Sequence, residues 1–348
     1  MPNPAIAEYV LPLRWSGGAA DDEPLLDLTR YLAQLRRWVD VTVVDGSVDD
    51  EFALHSRLWS HLVRHVRPTV SVGLNGKTRG VLSGVDMARH ELIIIADDDV
   101  RYDRQSLLAV VDRLRAADLV RPHNYFHPLP WHARWDTGRT LMNRAVLGDY
   151  PGTYGLRRSI MRRIGGYDPN ALFENLELER TVRAAGGIVH HSPEIIVARR
   201  PPTVTHFLGQ RVRQAYDSWA QPLRLVAEAA LLPTIVCARR HPAVLTLCAA
   251  SVIAIAEFGR QRHSGRAVYP ASSSLWAPLW VMERAITSWM AIFLRLRGGP
   301  RYSDGRMPLA AHQPRTLRRL LTNVQRRTYA LYSPQRKEEQ WPLSKTSG

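Results

Sequence analysis

A short apolar run that ends in three consecutive aspartates constrains this chain most. Leu92 to Ala96 are all apolar, which is typical of a strand buried on both faces of a sheet. Asp97, Asp98 and Asp99 follow at once, and carboxylates so close together raise one another's pKa unless a cation neutralises them. Because carboxylate oxygens prefer hard cations, the pattern predicts a Mg²⁺ or Mn²⁺ site. An acidic cap on the next helix is the alternative for these residues taken alone.

Apolar runs alternate with helical patterns along residues 8–219. This alternation predicts an α/β fold with a mainly parallel sheet covered by helices on both faces. Ligands of such sheets bind at the carboxyl ends of the strands, where Asp45 and the three aspartates are expected. Residues 121–156 lack periodicity and predict a long functional connection. Predicted strands cover residues 8–13, 39–44, 69–72 and 92–96, and predicted helices cover residues 25–38, 77–89, 105–117, 174–185 and 206–219.

Three apolar segments follow residue 222 and predict association with a membrane. They cover residues 223–238, 242–256 and 275–294, and the second contains no charged residue. Its apolar run is shorter than the roughly 17 to 25 residues that a span needs. One or two tilted spans and helices lying in the interface therefore both remain open. Buried helices of a soluble domain are the third alternative.

The chain is strongly basic, and the position of the charge favours a lipid surface over nucleic acid. The formal net charge is +15, and residues 295–337 carry eleven Lys or Arg against one acidic residue, Asp304. This stretch directly follows the apolar segments, as expected of a segment that contacts anionic lipid. It has few aromatics for base stacking and no helix-turn-helix or zinc pattern, so we expect no nucleic-acid partner.

These patterns divide the chain into a catalytic domain at 1–221, an apolar helical membrane-associated region at 222–297 and a basic tail at 298–348. The first residues have no signal-peptide pattern, and the two cysteines offer no disulfide framework or zinc spacing. We therefore expect a protein of the cell membrane whose catalytic domain lies on the cytoplasmic side.

The aspartate run resembles the Asp-x-Asp signature of family 2 glycosyltransferases, and other motifs of that family occur in the same order. They are Asp45-Gly46-Ser47, Gly76-Lys77, a glycine-led segment that ends on Arg157-Arg158, Gly165-Gly166-Tyr167-Asp168, an acidic motif at Glu174 and Gln210-Arg211-Val212-Arg213. The stretch from Arg295 to Tyr302 is weakly similar to one in ceramide-glucosyltransferase-like members. The resemblance implies a GT-A (nucleotide-diphospho-sugar transferase) fold and a membrane-associated, metal-dependent, inverting enzyme with a nucleotide-sugar donor.

The resemblance also implies a role for each motif. Asp99, together with Asp97, would ligate Mg²⁺ or Mn²⁺, which stabilises a departing diphosphate. The residues that would bind the donor are Pro12, Arg14, Asp45, Lys77, Asp97 and Asp98, with Pro12 and Arg14 at the nucleobase. Cations are expected where negative charge develops on the leaving group, and the residues that would face the diphosphate and acceptor are Gln210, Arg211 and Arg213. A solvated basic helix face is the alternative for these three.

Two departures from the family pattern affect the mechanism. Asn175 stands where the family has the aspartate that deprotonates the acceptor, and an amide cannot take up that proton. Glu174 or Glu177, which share a helix face, would then be the base, and Glu174 is our choice. Gln214 replaces a tryptophan that stacks on sugar acceptors, which favours a lipid or another small acceptor over a growing polymer.

Two rival functions also follow from the sequence. Residues 71–78 nearly match a phosphate-binding P-loop and would suggest a P-loop-like NTPase, but Ser71 stands where that loop needs glycine. Asn175 would also suit a catalytically inactive GT-A-fold protein that binds a nucleotide sugar or a partner.

Overall fold

The computed structural model describes residues 6–15, 22–146, 148–302 and 305–322. Within these residues, an eight-stranded sheet with the order β3-β2-β1-β4-β7-β6-β8-β5 forms the centre of the fold. A ribbon of β9 (Arg301–Tyr302) and β10 (Gly305–Arg306) follows near the end. The strands of the sheet are β1 (Glu8–Leu13), β2 (Asp40–Asp45), β3 (Arg64–Val66), β4 (Leu92–Ala96), β5 (Val100–Arg101), β6 (Leu119–Phe126), β7 (Thr153–Arg157) and β8 (Val189–Arg199).

Helices connect and cover these strands. Those of the sheet region are α1 (Glu23–Leu35), α2 (Asp49–Trp59), α3 (Gly76–Met87), α4 (Arg104–Arg113), α5 (Trp131–Val146), α6 (Arg158–Ile164), α7 (Glu174–Ala184) and α8 (Val204–Tyr216). Three helices follow: α9 (Pro222–Ala238), α10 (Pro242–Gln261) and α11 (Ala277–Leu296).

The centre of the sheet confirms the predicted α/β class. Strands β3, β2, β1 and β4 are all parallel, whereas β7 pairs antiparallel with β4 and β6. Ile94 and Ala96 of β4 belong to the core on one face of the sheet, and Ile93 and Ile95 to the core on the other. Burial on both faces is why this strand is uniformly apolar. The three aspartates follow directly at the carboxyl end of this strand.

Two predicted assignments were wrong. Residues 69–72 form no strand, and the third strand lies earlier, at Arg64–Val66. The supposed connection at residues 121–156 contains β6, α5 and β7. These elements lack an apolar pattern because polar side chains occupy their buried faces. Each of these polar side chains is paired with another side chain: Arg121 of β6 forms an ion pair with Glu179, and His123 forms a hydrogen bond with Tyr269.

The three C-terminal helices pack on the sheet region with one side and expose apolar side chains on the other. Helix α10 contacts α5, and α11 contacts α5, α8 and α9. Among the described helices, only α10 is long and apolar enough to cross a membrane. Leu223 is 89% exposed and Leu296 is 80% exposed, so burial inside a soluble domain does not describe these helices. Further exposed apolar side chains are Val226, Leu247, Phe258, Leu279, Met282, Ile286, Met290 and Phe293.

Gly259 allows α10 to approach α5 closely, and this contact predicts a loss of stability on substitution. A Cβ at Gly259 would collide with the backbone of Leu141. We expect Gly259→Ala to lower the free energy of unfolding by about 1–3 kcal/mol, because backbone must shift to make room. Gly209 in α8 has open space around its Cβ position, so Gly209→Ala is the matched control and should be neutral or slightly stabilising. Denaturant unfolding in detergent measures both, and equal effects would contradict the packing argument.

The described part of the predicted basic tail returns to the catalytic part. The backbone N–H groups of Leu172 and Phe173 donate to the carbonyls of Leu309 and Ala310. Met307 is fully buried. Residues 305–322 are therefore packed against α7 rather than separate from it, and the rest of the tail lies outside the described residues.

Candidate active site

A large cleft of about 950 Å³ opens at the carboxyl end of β4. It is bounded by the ends of β1 and β4, by α8, and by residues of α9 and α11. The predicted site residues that line it are Pro12, Arg14, Lys77, Asp97, Asp98, Asp99, Glu174, Gln210 and Arg213. The fold thus brings together motifs that are far apart in the sequence.

Two cations neutralise the aspartates in this structure. Lys77 Nζ lies 2.5 Å from Asp97 Oδ1. Arg199 Nε donates to Asp99 Oδ2 at 2.6 Å, and its terminal nitrogen lies 3.4 Å from Asp97 Oδ2. A Cβ on Gly152 would press on Asp97 Oδ2, so glycine is needed beside that carboxylate. The predicted clustering of negative charge is present, and protein cations balance it.

Asp99 has the features of a ligand for a hard cation. Burial raises its pKa to about 6, and the carboxylates of Asp97 and Asp98 add to that shift while Arg199 opposes it. Its Oδ1 atom is buried and has no hydrogen-bond partner among the described residues. A buried carboxylate oxygen without a partner is costly, and a divalent cation would satisfy it. The donor set of Asp97 and Asp99 therefore fits Mg²⁺ or Mn²⁺.

Lys77 connects the aspartates to the acidic motif of α7. Its ammonium lies 2.7 Å from Glu174 Oε1. Burial alone would lower the pKa of Lys77, but Asp97 and Glu174 raise it above its ordinary value, so it remains charged. Asp98 turns the other way, where the indole N–H of Trp15 donates to its Oδ2.

A catalytic base must have a carboxylate that faces the cleft. Glu177, which the sequence suggested, does not face it: Glu177 is fully buried, and its two oxygens accept hydrogen bonds from the backbone N–H and Nδ1 of His312. The Asn175 side chain donates to the carbonyl of Pro151. Glu174 lines the cleft but is paired with Lys77. Asp217, directly after α8, also lines the cleft, and burial raises its pKa to about 7.

The basic motif of α8 divides between the cleft and the interior. Gln210 and Arg213 line the cleft. Arg211 is buried instead, where it lies 3.0 Å from Asp136 of α5 and 3.4 Å from Glu283 of α11. The expectation that Arg211 faces the diphosphate or the acceptor is therefore wrong. A helix turns about 100° per residue, so neighbours on it cannot all face the same side.

Asp45 lies beneath the cleft rather than in its wall. It is fully buried, and its Oδ2 is 2.7 Å from His55 Nδ1 and 3.0 Å from His65 Nε2. Burial opposes its ionisation, but the hydrogen bonds from both histidines and Ser47 hold its pKa below the usual range. Donor atoms of these three residues lie within 4.8 Å of one another, as in a metal site. Direct contact between Asp45 and a nucleotide, as expected from the sequence, is blocked in this arrangement.

The loop before α3 excludes the P-loop interpretation. A P-loop wraps phosphate with free backbone N–H groups. Here the N–H of Asn75 donates to the carbonyl of Pro169, and the N–H of Leu74 donates to the side chain of Asn170. Asn75 also caps α3 by accepting from the N–H of Thr78. The alternative of a P-loop-like NTPase is therefore wrong.

Sequence reasoning missed several residues of the cleft. Arg199 is at the end of β8, far from any motif, and nothing in the sequence links it to Asp99. Arg224 and Arg284 also line the cleft. The sequence does indicate a special role for these two residues, because they are charged residues inside otherwise apolar helices. Such residues face a protein interior or a polar cavity far more often than lipid.

Comparisons with known proteins agree with the chemistry of the site. Residues 54–124 match the model of glycosyl transferase family 21, and this segment contains Lys77 and the three aspartates. A search of curated protein sequences found no match.

Solved structures of glycosyltransferases are similar to the chain at low sequence identity. The mannosyltransferase PcManGT from Pyrobaculum calidifontis, in complex with GDP-Man and Mn²⁺, is 16% identical, with 97% of this chain and 83% of that chain covered and a TM-score of 0.45. Mannosyl-3-phosphoglycerate synthase from Rubrobacter xylanophilus is 14% identical, with 63% and 74% covered and a TM-score of 0.42. Glucosyl-3-phosphoglycerate synthase from Mycobacterium tuberculosis, in complex with Mn²⁺, UDP and phosphoglyceric acid, is 18% identical, with 62% and 77% covered and a TM-score of 0.41.

The family match confirms the class of enzyme that the motifs predict. The chain is a glycosyltransferase that is similar to family 21 over the segment that carries Lys77, Asp97, Asp98 and Asp99.

Proposed function

We propose that the chain transfers a sugar, with inversion, from a nucleotide-diphosphate donor to a lipid or another small acceptor at a membrane surface. The observation that carries this proposal is the cleft at the end of β4. It combines the aspartates, a buried carboxylate oxygen that has no partner within the described part of the chain, and several arginines in the same lining. A GT-A domain at residues 1–221 with an apolar helical region at 222–297 would match this arrangement.

The divalent cation, Mg²⁺ or Mn²⁺, would be held by Asp97 and Asp99. When bound, it would stabilise the negative charge of the departing diphosphate. Lys77 and Arg199 already pair with these carboxylates, and both could turn toward donor oxygens once a cation takes over the neutralisation. Pro12 and Arg14 would lie along the nucleoside, and from α8 Gln210 would face the diphosphate while Arg213 would face the acceptor.

Asp217 is our candidate for the base. A general base works best when its pKa is close to the working pH, and burial brings the pKa of Asp217 to about 7. The acceptor hydroxyl would give its proton to Asp217 while its oxygen forms a bond to the anomeric carbon. At the same time the bond from that carbon to the diphosphate oxygen would break, and the leaving group would carry away the electron pair. Glu174 is the second candidate, but Lys77 occupies one of its oxygens.

A location at the cell membrane is supported by the exposed faces of α9, α10 and α11. The exposed apolar side chains of α11 lie on the side opposite its contacts with α5 and α8. Arginines follow the apolar segments and would contact anionic lipid. We place the catalytic domain on the cytoplasmic side, where nucleotide sugars and divalent cations are available.

The first experiment is a donor screen with purified full-length protein in detergent. UDP- and GDP-sugars are added with Mn²⁺, Mg²⁺ or a chelator, and binding is followed by thermal shift. Turnover is followed by release of the nucleoside diphosphate. We expect one donor to raise the melting temperature only when a divalent cation is present, because the diphosphate needs the cation at Asp99.

The outcomes separate the proposed enzyme from the inactive alternative. Metal-dependent binding with turnover on a membrane extract supports the enzyme. Binding without turnover, over a range of lipid acceptors, would favour a protein that binds nucleotide sugars without catalysis. No binding of any nucleotide sugar would contradict the proposal itself.

A further inference from the structure

The charged residues that interrupt the apolar helices meet at one end of the cleft. Arg224 of α9 and Arg284 of α11 both line it. Arg213 of α8 and Arg301 of β9 also line the cleft, and both line an adjoining groove as well. We call these four residues the arginine pocket. They come from four different elements, so the fold, rather than one basic helix, concentrates the charge.

Arg284 is a buried residue of this pocket with unused hydrogen-bond donors. It is 1% exposed, and its Nε and one terminal nitrogen have no hydrogen-bond partner among the described residues. The nearest carboxylate oxygen belongs to Glu228, at 4.0 Å from Nε. That carboxylate is already used, because Arg224 donates to Oε1 at 2.8 Å and Ser218 donates to Oε2 at 2.6 Å. A buried guanidinium with unused donors is costly unless an anion binds there.

The charge of the pocket suits an anionic ligand. The carboxylates of Asp217 and Glu228 stand near these guanidinium groups. Glu283 also acts on Arg284 but is already paired with Arg211. The four arginines therefore outnumber the carboxylates that are not paired elsewhere. Arginine also matches the geometry of phosphate and carboxylate oxygens through paired N–H donors. A phosphate monoester, which carries close to two negative charges at neutral pH, has charge of the opposite sign.

The surroundings of the pocket indicate where this anion comes from. Leu223, next to Arg224, and Leu296, at the end of α11, are among the most exposed apolar side chains of the described chain. Leu223 directly precedes Arg224 at the start of α9, so a ligand whose anionic head lies in the arginine pocket would have exposed apolar surface close by for a hydrocarbon tail.

We propose that the arginine pocket binds the anionic head group of a lipid acceptor, most simply a phosphate monoester. This inference rests on the proposed function for the assignment of the ligand as acceptor, but the binding site can be tested without turnover. It specifies the acceptor class: an amphiphile with a phosphate-like head, an alkyl tail and a hydroxyl that attacks the donor, rather than a neutral lipid.

Binding of three probes to the full-length protein in detergent tests the proposal. The probes are dodecyl phosphate, dodecanol and inorganic phosphate, and binding is measured by thermal shift and microscale thermophoresis. We expect saturable binding of dodecyl phosphate that is at least about tenfold tighter than that of the other two. If dodecanol binds as tightly as dodecyl phosphate, the anionic head group does not contribute to binding and that part of the proposal is wrong. If inorganic phosphate binds as tightly as dodecyl phosphate, the alkyl tail does not contribute and the ligand need not be a lipid.

Variants assign the binding to the pocket. Arg284→Gln and Arg213→Gln should each weaken dodecyl phosphate binding by about tenfold, because a charged hydrogen-bond donor is lost. Arg240→Gln is the matched control, since Arg240 lies exposed at the end of α9, away from the cleft. Arg284→Lys keeps the charge without the paired donors and should give an intermediate affinity. It also tests the site if Arg284→Gln does not fold. Unchanged affinity in folded Arg284→Lys and Arg213→Gln would overturn the proposal.

Donor binding in the same preparations keeps the two proposals apart. If a nucleoside diphosphate binds with Mn²⁺ but dodecyl phosphate does not exceed dodecanol, only the anionic head group is wrong. If dodecyl phosphate binds through the arginine pocket but no nucleotide binds, the anion site stands and the proposed transferase activity falls.

Discussion

Replacing Asp99 with alanine is expected to lower kcat by about a thousandfold or more, with little loss of stability. The variant removes a carboxylate oxygen that is buried without a hydrogen-bond partner among the described residues and with it a ligand of the proposed cation, which would stabilise the diphosphate. Folding should be unaffected or slightly improved, because burial disfavours this carboxylate and two neighbouring carboxylates crowd it. Release of nucleoside diphosphate at saturating Mn²⁺ measures kcat, and thermal unfolding without metal measures stability.

Asp112→Ala is the control for this experiment. Asp112 is an exposed aspartate of α4 that forms an ion pair with Arg115, three residues later, and it does not line the cleft, so its loss should leave turnover unchanged. Wild-type turnover by Asp99→Ala would contradict the metal assignment. A fall in turnover that excess Mn²⁺ restores would indicate weaker metal affinity rather than a lost catalytic group.

Replacing Asp217 with asparagine is expected to lower kcat by roughly a hundredfold to ten-thousandfold, which is the usual contribution of a general base. The carboxylate must be unprotonated to accept the acceptor proton. With a pKa of about 7, it is mostly protonated below that pH and mostly ionised above it. The kcat/KM of the wild-type enzyme should therefore rise with pH through about 7 and then level off, whereas the residual rate of the variant should not change in that range.

Glu174→Gln serves as the comparison for Asp217→Asn. Loss of the Glu174 carboxylate would leave Lys77 paired with Asp97 alone and should change the KM for the donor more than the pH profile. If Glu174→Gln instead removes the pH dependence, Glu174 is the base and the assignment of Asp217 is wrong. If neither variant slows transfer, the attacking oxygen of the acceptor is already anionic and needs no base.

The sheet could be predicted where the sequence pattern and the burial agree. The limits of β4 were predicted to the residue because it is buried on both faces and stops at charged residues. Strand β6 and helix α5 could not be predicted, because Arg121, His123 and Asp136 occupy positions where an apolar residue is expected. Ion pairs and hydrogen bonds with residues distant in the sequence make that burial possible, and a single sequence does not contain those partners.

The site could be predicted in part for the same reason. Lys77, Asp97, Asp99 and Glu174 belong to local motifs, and the fold brings them into one cleft. For the residues of α8, the direction in which each side chain points from the helix decides whether it reaches the cleft. Arg213 reaches the cleft and Arg211 reaches the interior. Arg199 has no local motif, and its role became visible only from its distance to Asp99.

The buried ion pairs of Arg211 have a consequence for where in space the reaction can occur. They join α8, which forms a wall of the cleft, to α5 and to α11, whose outer face is apolar. Breaking such a buried pair is strongly unfavourable, so the cleft and the apolar faces keep one relative position. In the membrane-bound arrangement proposed above, the depth of these helices in a bilayer would set the height of Asp99 above it. An acceptor would have to present its reactive oxygen at that height, so the protein would select acceptors by head-group length as well as by charge.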